Sequence, residues 1–172
     1  MTPTGVPLLS IRDLSVKYRT DRGEVRAVHR LNLDMDAGES LGLVGESGSG
    51  KSTLALAIMG VLPASGRVTA GSIYLGGREI SGLSDDEMRP IRWAQVAMVF
   101  QKSMSALSPV HRIRTHIEDI YRVHRPGASA REALDRARAL FGAIGLRSDV
   151  LNAYPHELSG GMLQRVMIVL AL

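Results

Sequence analysis

At 172 residues, 45% hydrophobic and 22% charged, the chain has the make-up of one globular domain, and folding at this length hides roughly 70% of the unfolded surface. The absence of cysteine excludes disulfide scaffolds and thiolate metal sites. Lys and Arg total 21 against 17 Asp and Glu, and the resulting charge of +4 permits an anionic ligand or surface without demanding one.

The opening stretch, Met1 to Leu9, lacks the basic segment, apolar segment and cleavage site of a secretory signal, so the cytoplasm is the expected compartment. Leu9, Ile11, Leu14 and Val16, then Val28, Leu31, Leu33 and Met35, mostly alternate and predict two half-buried strands joined by a turn at Asp21-Arg22-Gly23-Glu24. Leu41 to Val44 is a short apolar run that predicts a buried strand, followed by a glycine-rich loop. Leu54, Ile58 and Leu62 then recur at helical spacing until Pro63. Ser72 to Leu75 before Gly76-Gly77 reads as a strand, and Ser84 with Glu87 as a capping box opening a short helix. Within it, Asp85-Asp86-Glu87 is an acidic first turn rather than a catalytic cluster. Val96 to Phe100 is the next expected buried strand.

From Pro109 the period becomes helical. Ile113, Ile117, Ile120 and Tyr121 share a face, and Pro126-Gly127 ends the segment. A second capping box pairs Ser129 with Glu132, and Leu134, Ala137, Phe141 and Ile144 form an apolar stripe that Gly145 terminates in a left-handed turn. A last helix starts near Ser159 and enters the apolar run Val166 to Leu172, whose seven residues fall far short of the roughly 18 that a membrane span needs.

Two stretches carry chemistry. Gly45-Glu46-Ser47-Gly48-Ser49-Gly50-Lys51-Ser52 fits the phosphate-loop pattern, between an expected strand and an expected helix. Such glycines let successive N–H groups point at phosphate oxygens, and the helix N-terminus adds roughly half a positive charge. Lys51 is placed to reach the β and γ phosphates, and Ser52 to put its hydroxyl on Mg2+. The second stretch, Leu158-Ser159-Gly160-Gly161-Met162-Leu163-Gln164-Arg165, again sets a hydroxyl and unpaired N–H groups at a helix start, where an anion can bind. The plain alternative for it is an N-capped helix whose glycines allow close packing.

Together these stretches resemble the ATP-binding domain of ABC transporters, from about Leu9 to Leu172. The resemblance implies an α/β fold: a P-loop NTPase core with an antiparallel β subdomain and a helical subdomain, C-terminally incomplete. It places the ATP-binding core and antiparallel subdomain at 1–101, the Q-loop and helical subdomain at 102–158, and the signature motif at 159–172. By resemblance, ATP and Mg2+ are the cofactors. Gly45 to Lys51, with Ser52 and Thr53, hold the phosphates, and Tyr18 stacks on adenine. Gln101 is the Q-loop glutamine that touches Mg2+ and the attacking water, so Lys51 and Gln101 are the expected catalytic residues. Ser159, Gly160 and Gly161 meet the γ-phosphate held by an opposite subunit.

Finer likeness, in Glu46, Glu87-Met88-Arg89, Met104 to Pro109 and Tyr154-Pro155-His156-Glu157, points to dipeptide, oligopeptide and nickel importer ATPases. Leu163 and Lys102-Ser103 depart from that pattern, at positions expected to face a partner or the membrane subunits. The resemblance implies a second ATPase subunit, transmembrane permease subunits, a solute-binding protein reached through the permease, and a peripheral place on the cytoplasmic face of the inner membrane, with no nucleic acid.

The family's Asp-Glu after the next apolar strand and its switch histidine are not in this sequence, and His29, His111, His116, His124 and His156 are expected to be surface or capping residues. A parallel core lacking neighbouring strands is expected to leave open edges and to make the isolated chain poorly soluble or partly molten. One alternative is a non-catalytic nucleotide-binding fragment. Another, a DNA-repair-type ATPase, lacks the long heptad segment it would need between Ser52 and Ser159.

Overall fold

The computed structural model describes residues 5–100 and 107–172. The chain forms two units, Met1–Arg89 and Pro90–Leu172.

In the first unit, β1 (Leu9–Thr20), β2 (Gly23–Met35), β3 (Gly66–Leu75) and β4 (Arg78–Glu79) make an antiparallel sheet in the order β2-β1-β3-β4. The sequence explains an irregularity in it. Apolar residues step by three from Ile11 to Leu14 and from Val28 to Leu31, which in an even ladder would turn the second of each pair to the opposite face. Bulges absorb the extra residues: the register passes from Ile11↔Leu33 to Leu14↔Leu31 and then to Val16↔Val28. Asp13 and Arg30 take φ of 46° at these points. The Arg30 N–H donates to Ser15 Oγ at 3.0 Å, and the Asp13 N–H to Asn32 Oδ1 at 2.9 Å. Leu9, Ile11, Leu14 and Val16 are all buried as a result, while Val28, Leu31, Leu33 and Met35 on the flanking strand are half-buried. β3 begins at Gly66, upstream of the expected Ser72, because its pairing with β1 continues to Tyr18↔Gly66.

Helix α1 (Lys51–Ile58) buries Leu54 and Ala57 and ends one turn before the expected Leu62. Its last carbonyls are taken by the Gly60 N–H to Ala57 and the Val61 N–H to Leu56. In α2 (Asp85–Met88) the Ser84 and Glu87 capping box is complete. Hydrogen bonds from the Ser84 hydroxyl and then its N–H hold the Glu87 carboxyl below the usual carboxylate range.

The second unit contains α3 (Ile113–His124), α4 (Ala130–Ala143), 3-10 turns at Ser148–Asn152 and Pro155–Glu157, and α5 (Gly160–Leu170). Its core gathers Ile113 and Ile117 from α3, Leu134, Ala137 and Phe141 from α4, and Leu163 and Val166 from α5. Of the second expected capping box only one half forms, Ser129 Oγ accepting the Glu132 N–H at 3.2 Å. Gly145 has φ 69° after α4, as expected.

Two expectations are corrected. Leu41–Val44 and Val96–Phe100 are not buried strands. Leu41, Leu43 and Val44 are 49%, 48% and 90% exposed, Val99 and Phe100 are also exposed, and Val96 makes only an isolated bridge with Arg92. An apolar run becomes a buried parallel strand only when neighbours accept its backbone hydrogen bonds, and the sheet among the described residues contains neither segment.

Leu163, expected on a partner-facing surface, is 1% exposed within the second unit's core, because the face of α5 that carries Val166 and Leu170 carries it too. Leu163→Ala is therefore expected to destabilise that unit by about 2–5 kcal/mol in urea unfolding. An unchanged midpoint would mean that this side chain packs against nothing.

Candidate phosphate-binding site

The loop ahead of α1 is exposed from residue 41 through Ser49, and Gly50 and Lys51 are half-buried. Gly50 is the N-cap residue, with φ 93° and no side chain to accept the first N–H groups of the helix. Its carbonyl accepts the Leu54 N–H at 2.9 Å, closing the first helical bond. The first turn holds no acidic residue. The donors at this helix start thus have neither a capping side chain nor a carboxylate, which is the condition for an anion site.

Lys51 Nζ lies back over the loop, donating to Gly45 O at 2.8 Å, Glu46 O at 2.7 Å and Ser49 Oγ at 3.1 Å. All three donors of the ammonium are satisfied by loop oxygens, and none of these partners is charged. Phosphate oxygens arriving at the loop would replace neutral acceptors with anionic ones, a charge-assisted exchange. The loop itself is closed by the Ser49 N–H donating to Glu46 O at 3.3 Å.

The structure therefore brings Lys51 together with Gly45, Glu46 and Ser49. Ser47, Gly48 and Ser52 stand exposed, Ser52 in the second helical position. Tyr18 and Thr53 also meet, the Tyr18 hydroxyl donating to Thr53 Oγ1 at 3.3 Å. That contact has no local signal in the sequence, because it depends on where β1 ends relative to α1. Gln101 lies outside the described residues, as do Lys102-Ser103 and Met104 to Ala106.

In the second unit Ser159 caps α5, its Oγ accepting the Met162 N–H at 3.3 Å. Gly160 and Gly161 are exposed, with open space where side chains would stand. The capping and anion-site readings of this stretch are compatible, since the cap occupies one donor of the first turn. Ser159→Ala is expected to cost about 1 kcal/mol of unit stability, read from the urea midpoint. A loss beyond about 2 kcal/mol would exceed what a cap supplies.

Upstream of the cap, a stack runs from the exposed Arg112 guanidinium, 4.6 Å from the centre of the half-buried Tyr154 ring, to the exposed His156, 5.5 Å from that ring and tilted by 14°. Arg112 was not singled out from sequence, because it is remote from Tyr154 along the chain. Glu157 accepts the Tyr154 N–H at 2.7 Å. Among the described residues no group of three or more His, Asp or Glu could hold a metal ion, and no helix is long and apolar enough to cross a membrane.

Residues 28–172 match the family model of the ABC transporter. The chain is 42% identical over 167 residues to the oligopeptide transport ATP-binding protein OppD of Escherichia coli K12, covering 96% of this chain and 49% of that protein. It is 41% identical over 173 residues to the glutathione import ATP-binding protein GsiA of Salmonella typhimurium LT2, covering 96% of this chain and 28% of that protein. The chain thus spans half or less of the length of these relatives. Among solved structures, the dimeric bacterial ABC transporter cassette MJ0796 superposes with a TM-score of 0.84 at 29% identity, covering 95% of this chain and 68% of that one. The post-hydrolysis state of the same ATP-binding cassette, bound to ADP and Pi, superposes with a TM-score of 0.81 at 28% identity, with the same coverage.

Proposed function

This chain belongs to the ABC transporter family, and we propose that it is the ATP-binding part of a subunit that drives peptide import across a membrane. The observation that carries the reading is the Lys51 ammonium, held over a glycine-rich loop by three uncharged oxygens directly ahead of an uncapped helix. Peptide is favoured as the solute because the relatives at about 40% identity are named for oligopeptide and glutathione import; nickel has no such support.

Gly45 to Thr53 hold the triphosphate, with the α1 amides and Lys51 compensating its charge. Ser52, exposed and beside Lys51, suits Mg2+, a hard cation that takes oxygen ligands, and Gln101 is the proposed second contact. The ion, when bound, neutralises charge on the β and γ oxygens. Lys51 and Gln101 are the proposed catalytic residues. Ser159, Gly160 and Gly161 lie at an exposed helix start and are proposed to meet the nucleotide of a second ATPase subunit, a reading supported by the dimeric state of the MJ0796 cassette. Permease subunits, a solute-binding protein acting through them, and a peripheral position on the cytoplasmic face of the inner membrane complete the proposal.

A second reading, nucleotide binding without turnover, is favoured by the exposed Leu41, Leu43 and Val44, whose segment joins no sheet among the described residues, since a loop fed by an unsupported segment is held less rigidly for chemistry. Calorimetric titration with MgATP, followed by phosphate-release measurement, tests both. Saturable binding with release supports the first reading, binding without release supports the second, and no binding rejects both.

A further inference from the structure

Tyr18 pairs with Gly66 across the β1–β3 ladder, and a Cβ at 66 would stand 2.6 Å from Tyr18 Cε1 and 3.0 Å from Cδ1. No side chain fits at 66 while the ring keeps its place. The neighbouring backbone is tied down as well: the Arg19 N–H donates to Ser65 O at 2.7 Å, and the Gly66 N–H to Pro63 O at 2.7 Å. At its far end the ring is fixed by the Tyr18 hydroxyl donating to Thr53 Oγ1. Thr53 sits in the first turn of α1, two residues beyond Lys51. A half-buried aromatic at the end of a strand needs no such tie to pack, and its hydroxyl could equally be satisfied by water. The tie instead sets the distance between a π surface and the helix whose N-terminus takes the phosphates.

A nucleoside triphosphate has the matching form, a planar base at a limited distance from its phosphate tail. Resting on the nucleotide-binding reading above, we infer that Thr53 is a positioning residue: its hydroxyl holds the Tyr18 ring where it meets a base, so the pair gives the site its preference for a nucleotide over a bare triphosphate.

The test is the ratio of affinities for MgATP and for magnesium tripolyphosphate, measured by competition on the full chain carrying Tyr18→Phe, Thr53→Val, Thr53→Ser or the first two together. Tyr18→Phe and Thr53→Val are each expected to lower the ratio by about threefold to tenfold, the range of one neutral hydrogen bond. Thr53→Ser restores the ratio, and the double variant is no worse than either single one. A merely structural role would weaken both ligands together and leave the ratio unmoved. That result, or a wild-type chain that binds both ligands without preferring ATP, overturns the inference and leaves the phosphate site standing. A wild-type chain that binds neither ligand overturns the nucleotide reading, and the inference with it.

Discussion

Lys51→Ala is expected to lower ATP affinity by about 100-fold or more while leaving the fold intact. In the free chain the ammonium makes three hydrogen bonds, all to neutral loop oxygens. With nucleotide bound, at least two become charge-assisted bonds to phosphate, each worth about 1.5–3 kcal/mol, and a loss of about 3 kcal/mol is more than 100-fold in affinity. The side chain contributes nothing to the core, since α1 is anchored by Leu54 and Ala57, so the thermal midpoint should move little. Lys17→Ala is the control: this residue pairs with Glu24 on the sheet at 2.8 Å, and its loss should leave ATP affinity unaltered. Equal affinities for wild type and Lys51→Ala would show that the loop is not where the phosphates bind.

Gly50→Ala carries the second large effect. At φ 93° an L side chain is strained by about 1–2 kcal/mol. In addition, a Cβ at this position would lie 2.3 Å from Ala27 O, a backbone atom of β2 that cannot swing aside. The loop and β2 would have to separate, moving the start of α1 and the Lys51 ammonium with it. The expected destabilisation exceeds about 4 kcal/mol, at the extreme for single substitutions, with loss of nucleotide binding. Gly48→Ala separates the two causes. Gly48 has φ 82° but open space around it, so only the conformational strain of about 1–2 kcal/mol applies. If both variants unfold at the same denaturant concentration, the close approach of Gly50 to β2 is not what fixes the loop.

Much of the fold was legible because local chemistry decided it. The mostly alternating apolar positions from Leu9 to Val16 and from Val28 to Met35 correspond to β1 and β2, Ser84 with Glu87 to a complete cap, and Gly145 to a left-handed terminus. What was not legible depends on partners distant in sequence. Leu41–Val44 has the composition of a buried strand, yet its environment is set by neighbours that its own residues do not specify. The resemblance to importer ATPases put Leu163 on a partner-facing surface, whereas its face is fixed by the helical period that it shares with Val166 and Leu170. In the site, Lys51 and the loop glycines could be read directly, since the phosphate-loop pattern is a local one. The Tyr18–Thr53 bond could not, since it joins a strand end to a helix start 35 residues later.

The central claim is that residues 45–53 cradle a triphosphate on the α1 amides, and hydrogen exchange of those amides with and without MgATP tests it most directly. Exchange at Gly48 to Thr53 is expected to slow on saturation, while the β1–β2 hairpin turn at Asp21-Arg22 is unaffected. ATP that binds yet leaves these amides exchanging at their free rate, with protection appearing elsewhere in the chain, would contradict it.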